Sequence, residues 1–155
     1  ALFSSLSVSA NQDAEVLGVT FGSTCEETVQ KLNKDYGTPK SQSADKLVYL
    51  NEMFEGFKAD RVELGFQDLQ GTTKLNQARF YFVCPNKAAA IAKMKSLVKK
   101  METRYSVSYD EEDGGTAFYK GGNSPLGIGC LFTIFVSPYQ GKWTCQLRYG
   151  KFQFK

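Results

Sequence analysis

Apolar and polar residues follow two different periods along this chain, and the order in which the periods change is written twice. Leu17, Val19 and Phe21 alternate, which predicts a short strand or an extended lead-in. Cys25, Val29, Leu32 and Tyr36 then recur at steps of four, three and four, one face of an amphipathic helix. Thr24 and Glu27 have the spacing of a capping box, Ser23 offers a second hydroxyl, and Gly37 with Pro39 ends the helical segment. Three runs follow, Lys46 to Leu50, Ala59 to Asp68 and Leu75 to Cys84. In the second run Val62, Leu64 and Phe66 alternate with Arg61, Glu63 and Gln67. That alternation predicts antiparallel strands with one buried face and one that meets water.

The pattern then restarts. Pro85 and Asn86 open a second helix with an apolar stripe of Ala88, Ile91, Ala92, Met94, Leu97, Val98, Met101 and Tyr105, and lysines on the remaining surface. Strands are predicted over Thr116 to Lys120, Gly129 to Ser137 and Lys142 to Tyr149, with turns at Asp113-Gly114-Gly115 and Pro138 to Gly141. Lys151 to Lys155 reads as a prolongation of the last strand. Val29, Leu32 and Tyr36 lie 69 residues before Val98, Met101 and Tyr105, and Gln77 and Arg79 lie 69 before Gln146 and Arg148. Val62, Leu64 and Phe66 lie 70 before Phe132, Ile134 and Val136. Residues 16–84 and 85–155 therefore read as internal repeats of one α-β-β-β unit within a single domain. Neither unit buries its helix alone, so the strands are expected to pool into one antiparallel sheet with both helices on one face, an α+β fold.

Composition narrows the chemistry. The 155 residues are 42% hydrophobic, enough for a substantial core, and a net charge of +3 is too slight for the basic footprint of a nucleic-acid binder. The chain contains 0 histidines, which removes the commonest neutral-pH general base and any imidazole metal ligand. Cys25, Cys84, Cys130 and Cys145 lack the close pairing of a thiolate zinc site, so neither metal nor cofactor is expected. In an exported protein they permit two disulfides with three connectivities; alternatively they serve as buried thiols. A hairpin turn over Pro138 to Gly141 would set Cys130 opposite Tyr149 and Cys145 opposite Ile134, too far apart for the ~7 Å Cα limit of a bridge. The segment Ala1 to Ala10 reads either as the end of an export signal, with small residues at Val8-Ser9-Ala10 but no basic start, or as a first strand. No stretch approaches the ~18 apolar residues of a membrane span.

Candidate sites are few. The acidic run Asp110 to Asp113 lacks the alternate spacing of a calcium loop and suits a solvated turn. Glu26 and Glu27 suit the positive end of the first helix rather than paired acid-base work. The glycine-rich segment Gly121 to Gly129 leads into a strand, not a helix, which suits a long hairpin loop better than a phosphate cradle. It corresponds to the connection Glu52 to Lys58 in the first unit. The lysines of the second helix suit a solvated face more than a lipid surface, because its apolar face is needed for the core. There remains the sheet face opposite the helices, where parity places Arg61, Arg79, Tyr81, Phe135, Gln146 and Arg148. Arginine, aromatic and amide side chains on a stiff platform are the types found at protein interfaces.

The stretch Phe21-Gly-Ser-Thr-Cys-Glu-Glu-Thr-Val29 through Tyr36-Gly-Thr-Pro39 resembles the opening of exported bacterial modules of the outer-membrane assembly lipoprotein type and of the related β-lactamase-inhibitor-protein fold. The tandem layout resembles secreted domains of unknown function with the same order of elements. The inhibitor fold implies a repeated sheet that binds another protein; the lipoproteins imply a periplasmic scaffold. No lipoprotein cysteine stands at the start, and no functional residue of those families is carried over.

The expectation is a non-enzymatic exported module, periplasmic, secreted or at the cell surface, whose open sheet face contacts a protein or cell-envelope component. A second possibility is a small-molecule-binding protein or carboxylate-based enzyme with a pocket near the glycine-rich loop. A third is a structural domain of a larger polypeptide.

Overall fold

The computed structural model describes residues 14–111 and 117–155. Two residue pairs, β1 (Glu15–Val16) and β2 (Val19–Thr20), form a small hairpin ahead of helix α1 (Cys25–Tyr36). Then come β3 (Ser41–Gln42), β4 (Lys46–Phe54), β5 (Phe57–Leu69) and β6 (Thr72–Cys84), followed by helix α2 (Lys87–Met101). The chain closes with β7 (Val107–Glu111), β8 (Ala117–Gly121), β9 (Phe132–Tyr139) and β10 (Lys142–Gly150). Eight strands make one antiparallel sheet in the order β3-β4-β5-β6-β10-β9-β8-β7. With its two helices this is an α+β fold, as the periodicity predicts.

The sheet order is a palindrome of the two units: each contributes four strands running outward from a central seam between β6 and β10. Sequence alternation finds three of the four. The additional strand of each unit is the outer edge, β3 or β7, where Ser41-Gln42 and Val107 to Glu111 have at most one face to bury and so carry little apolar alternation. The predicted turn at Asp113 to Gly115 and the alternatives for Ala1 to Ala10 lie outside the described residues.

Repeat register is visible in the hairpins. Gln70-Gly71 and Gln140-Gly141 stand 70 residues apart and both take two successive positive φ angles, 55° and 87° in the first and 50° and 77° in the second. This is the two-residue turn whose twist matches that of its strands, and glycine supplies its second position at least steric cost. The second turn is tighter than a four-residue loop over Pro138 to Gly141, so Cys145 faces Val136 and Tyr149 faces Phe132, while Cys130 precedes β9 altogether. All four cysteines are free thiols.

Why the displacement changes from 70 to 69 is equally concrete. Gly65 pairs with Gln77 but Phe66 pairs with Leu75, so Asn76 is an extra residue on β6. This bulge has no counterpart in the continuous β9-β10 register. The bulged Asn76 is buried, donates from Nδ2 to the Phe152 carbonyl at 2.8 Å and accepts from the Phe152 N–H at 2.9 Å. That clamp holds the terminal segment off the sheet, so Lys151 to Lys155 does not prolong β10. Gly150 turns the chain out of the strand with φ 78°; a Cβ there would lie 2.3 Å from the Asn76 carbonyl oxygen.

Both helices lie on the face that buries Leu64, Phe80, Ile134, Leu147 and Tyr149. α1 begins at the predicted box: Thr24 Oγ1 accepts from the Glu27 N–H at 3.1 Å and Glu27 Oε1 accepts from the Thr24 N–H at 2.8 Å. Its Leu32 and Tyr36 face the core, Tyr36 packing edge-on against Tyr49 at 5.3 Å, while Val29 is only half-buried. α2 is capped by Asn86, and its buried stripe is Ala90, Met94, Leu97, Val98 and Met101. Ala88 and Ala92 point to solvent, a correction to the broader predicted stripe, and Tyr105 lies beyond the helix against Phe132 at 5.3 Å. Each fully buried aliphatic or phenyl group here contributes roughly 1.5–3 kcal/mol by leaving water.

Candidate binding face

On the opposite face one cross-strand row crosses the whole sheet: Ser41, Val48, Glu63, Arg79, Arg148, Thr133, Lys120, Ser108. Arg79 and Arg148, equivalent in the repeat, are partners of each other across the β6-β10 seam. The repeat's pseudo-two-fold axis therefore passes between two arginines. The flanking pairs obey the same symmetry, Tyr81 with Gln146 and Gln77 with Gly150.

The two arginines have unequal surroundings because the units have diverged beside them. Arg79 faces Glu63 on β5, whereas Arg148 faces Thr133 on β9, and these two neighbours are themselves 70 residues apart. Glu63 is already engaged: its Oε2 pairs with Arg61 Nε at 2.7 Å and its Oε1 accepts from the Tyr81 hydroxyl at 3.3 Å. Arg79 donates to the Tyr81 hydroxyl at 3.3 Å. Arg148 has no carboxylate partner among the described residues; its guanidinium lies over the Phe135 ring at 5.0 Å. Phe135 occupies the place of Gly65 in the first unit. The Nε atoms of both arginines are buried and without a hydrogen-bond partner. Burial first, and the neighbouring Arg79 charge second, push the Arg148 guanidinium below its ordinary pKa. Of these three guanidinium groups only Arg61 is ion-paired with Glu63; Arg79 bonds a hydroxyl, and Arg148 lies over a ring.

Six residues predicted for this face are all on it, with a correction to their exposure. Arg61, Arg79, Phe135 and Arg148 are half-buried, but Tyr81 and Gln146 are only 2% and 5% exposed. Tyr81 reaches across β10 to Tyr139, with ring centroids 4.6 Å apart. Gln146 is tied down locally: its Nε2 donates to Thr144 Oγ1 at 3.0 Å, and Thr144 donates to the Ser137 carbonyl at 2.5 Å. Parity assigns a face to a side chain but not the size of its neighbours, so Tyr139, Thr144 and Ser137 were invisible as covering groups.

Beside Arg148 and Thr133 of this row lies a pocket of 320 Å³, lined also by Leu126, Ile128, Leu131, Phe152, Lys151 and Gln153. Leu126 and Ile128 come from the glycine-rich loop, where Ile128 is 87% exposed, more than any other large apolar side chain of the described residues. The loop folds on itself through the Ser124 N–H to the Gly129 carbonyl at 3.0 Å and the Gly127 N–H to the Ser124 carbonyl at 3.1 Å. Its counterpart in the first unit is only the two-residue turn Glu55-Gly56 between β4 and β5.

A second pocket beside the loop, 470 Å³, is lined by Arg104, Lys120, Cys130 and the glycines, and no carboxylate of the described residues lines it. Arg104 pairs with Glu55, and Lys120 pairs with Asp110 at 2.9 Å. Among the described residues, the convergent carboxylates that a hydrolytic pocket needs are not found there. A groove of 690 Å³ on the helix side runs between α2 and β8-β9, lined by Ile91, Met94, Tyr119, Val136 and Trp143, with Lys87 over the Trp143 ring at 5.5 Å. Among the described residues no three Cys, Asp or Glu side chains are placed to hold a metal, and no helix is long and apolar enough to cross a membrane.

Compared with known family models, characterised proteins and solved structures, the chain matches none.

Proposed function

We propose that this chain is a non-enzymatic, exported binding or scaffold module that contacts a protein or cell-envelope component through the open face of its repeated sheet. The observation that carries this is the arginine pair on the pseudo-two-fold axis, with Arg148 half-buried and unpaired where the first unit supplies Glu63. A half-buried cation without a counter-charge costs stability in the free protein, and such groups are the ones a partner's acceptors complete. Phe135, half-buried beneath the Arg148 guanidinium, gives an aromatic-arginine pair of the kind found at interface centres. The resemblance of Phe21 to Pro39 to exported assembly and inhibitor modules supports an address outside the cytoplasm.

The test is site-specific photo-crosslinking in the native cells. A photoreactive phenylalanine at Thr133, on the arginine row, should give a discrete crosslinked species, and one at Lys99, on the exposed side of α2, should not. Equal products from both sites, or none from Thr133, would overturn the assignment.

A further inference from the structure

The open face has a cationic centre and, next to it, an apolar pocket walled by a protruding loop. These two features adjoin at a single residue: Arg148 is both a member of the central pair and a wall of the 320 Å³ pocket. An occupant that satisfied only the charge would leave Ile128 in water, and one that satisfied only the pocket would leave the guanidinium unpaired. Both demands are met by a peptide segment in which a carboxylate side chain stands next to an aliphatic or aromatic one.

Resting on the binding role proposed above, we infer that the face takes an acidic segment of a partner protein, its Asp or Glu carboxylate received between Arg79 and Arg148 and the adjoining apolar side chain lodged under Leu126 and Ile128. Charge supports a carboxylate over a polyanion. The row contains Arg79, Arg148 and Lys120, but Lys120 is neutralised by Asp110, and Glu63 stands at the other end. A nucleic acid needs a continuous track of several cations to displace its counterions, and this row offers two adjacent ones. A planar guanidinium with free donors matches the two oxygens of one carboxylate. The pocket has room for an aliphatic or aromatic side chain, and Ile128 supplies the apolar contact that is unmet in the free protein.

Panning a random dodecapeptide phage library on the purified protein tests this directly. Enriched peptides are expected to carry Asp or Glu beside Leu, Ile, Val or Phe. Synthetic copies should lose roughly tenfold or more in affinity when the acid becomes its amide, and as much against Arg148→Met. Ile128→Ser, at an exposed loop position that does not bear on folding, should cost about tenfold by removing the apolar contact. No enrichment, a consensus without carboxylates, or affinity unchanged by both substitutions would overturn the inference. Crosslinking from Thr133 combined with any of those outcomes would leave the face as a binding surface and reject only the acidic segment as its occupant.

Discussion

Arg148→Met should make the free protein more stable. Three contributions set the sign. Like charges directly opposite on neighbouring strands cost about 0.2–1 kcal/mol, and Arg148 faces Arg79. A buried donor without a partner costs about 1–3 kcal/mol, to be discounted here because only the Nε atom, not the whole half-exposed side chain, is sequestered. Against these stands the contact with Phe135, worth about 0.5–1 kcal/mol for a cation over a ring and largely retained as a sulfur-aromatic contact. Methionine also keeps the apolar stem that packs along the sheet. The balance is a gain of about 1 kcal/mol, or a rise in Tm of about 2–4 °C for a domain of this size. Urea unfolding followed by the fluorescence of Trp143, the 1 tryptophan in the chain, measures it. Repeating it at about 0.02 M and about 0.5 M salt separates the charge contribution, since screening should raise the wild type more than the variant. A loss of about 1 kcal/mol or more at both salt concentrations would show that Arg148 is compensated within the fold, and the argument for an unfilled site would fail.

The remaining predictions concern the scaffold. Phe80→Ala removes a ring that is 0% exposed and packed at 4.3 Å from Phe54, so unfolding titrations should show a loss of about 3–5 kcal/mol. Gly150→Ala places a methyl group against the Asn76 carbonyl at a positive φ, which should cost at least about 1–2 kcal/mol and expose the Phe152 segment to limited proteolysis. Stability should also fall at alkaline pH. Burial pushes the Cys145 thiol from 9.0 to about 12 and the Tyr49 hydroxyl from 10.0 to about 12. Above pH 9.0 the unfolded chain therefore releases protons that the folded chain retains, and stability declines as pH rises toward about 12. Thermal melts between those limits should show the decline, and Cys145→Val should remove the part that begins at the lower end.

Period and parity made most of this molecule legible. Val62, Leu64 and Phe66 on β5, Ala78, Phe80 and Phe82 on β6, and Phe132 and Ile134 on β9 are buried at alternate positions and mark the period, and the offsets of 69 and 70 already contained the bulge at Asn76. The edge strands β3 and β7 were not legible, since Ser41 and Gln42 are both exposed and carry no apolar signal. Parity put Arg79 and Arg148 on the right face, but their direct opposition depends on the pairing of β6 with β10, which joins segments on either side of a helix and three strands. The divergence beside them, Glu63 against Thr133 and Gly65 against Phe135, could have been read once the offset of 70 was applied to β5 and β9. The adjoining pocket could not, because the position of Ile128 is set by the fold of a loop without periodicity.

At the centre of the molecule the two units meet with their equivalent arginines face to face. Isotope-edited NOE spectroscopy of the free protein measures this pairing. Backbone cross-strand contacts are expected between Arg79 and Arg148, flanked by contacts of Tyr81 with Gln146 and Gln77 with Gly150. A register in which Arg79 instead faces Gln146 or Gly150 would separate the two guanidinium groups along the seam and contradict both the symmetry and the site built on it.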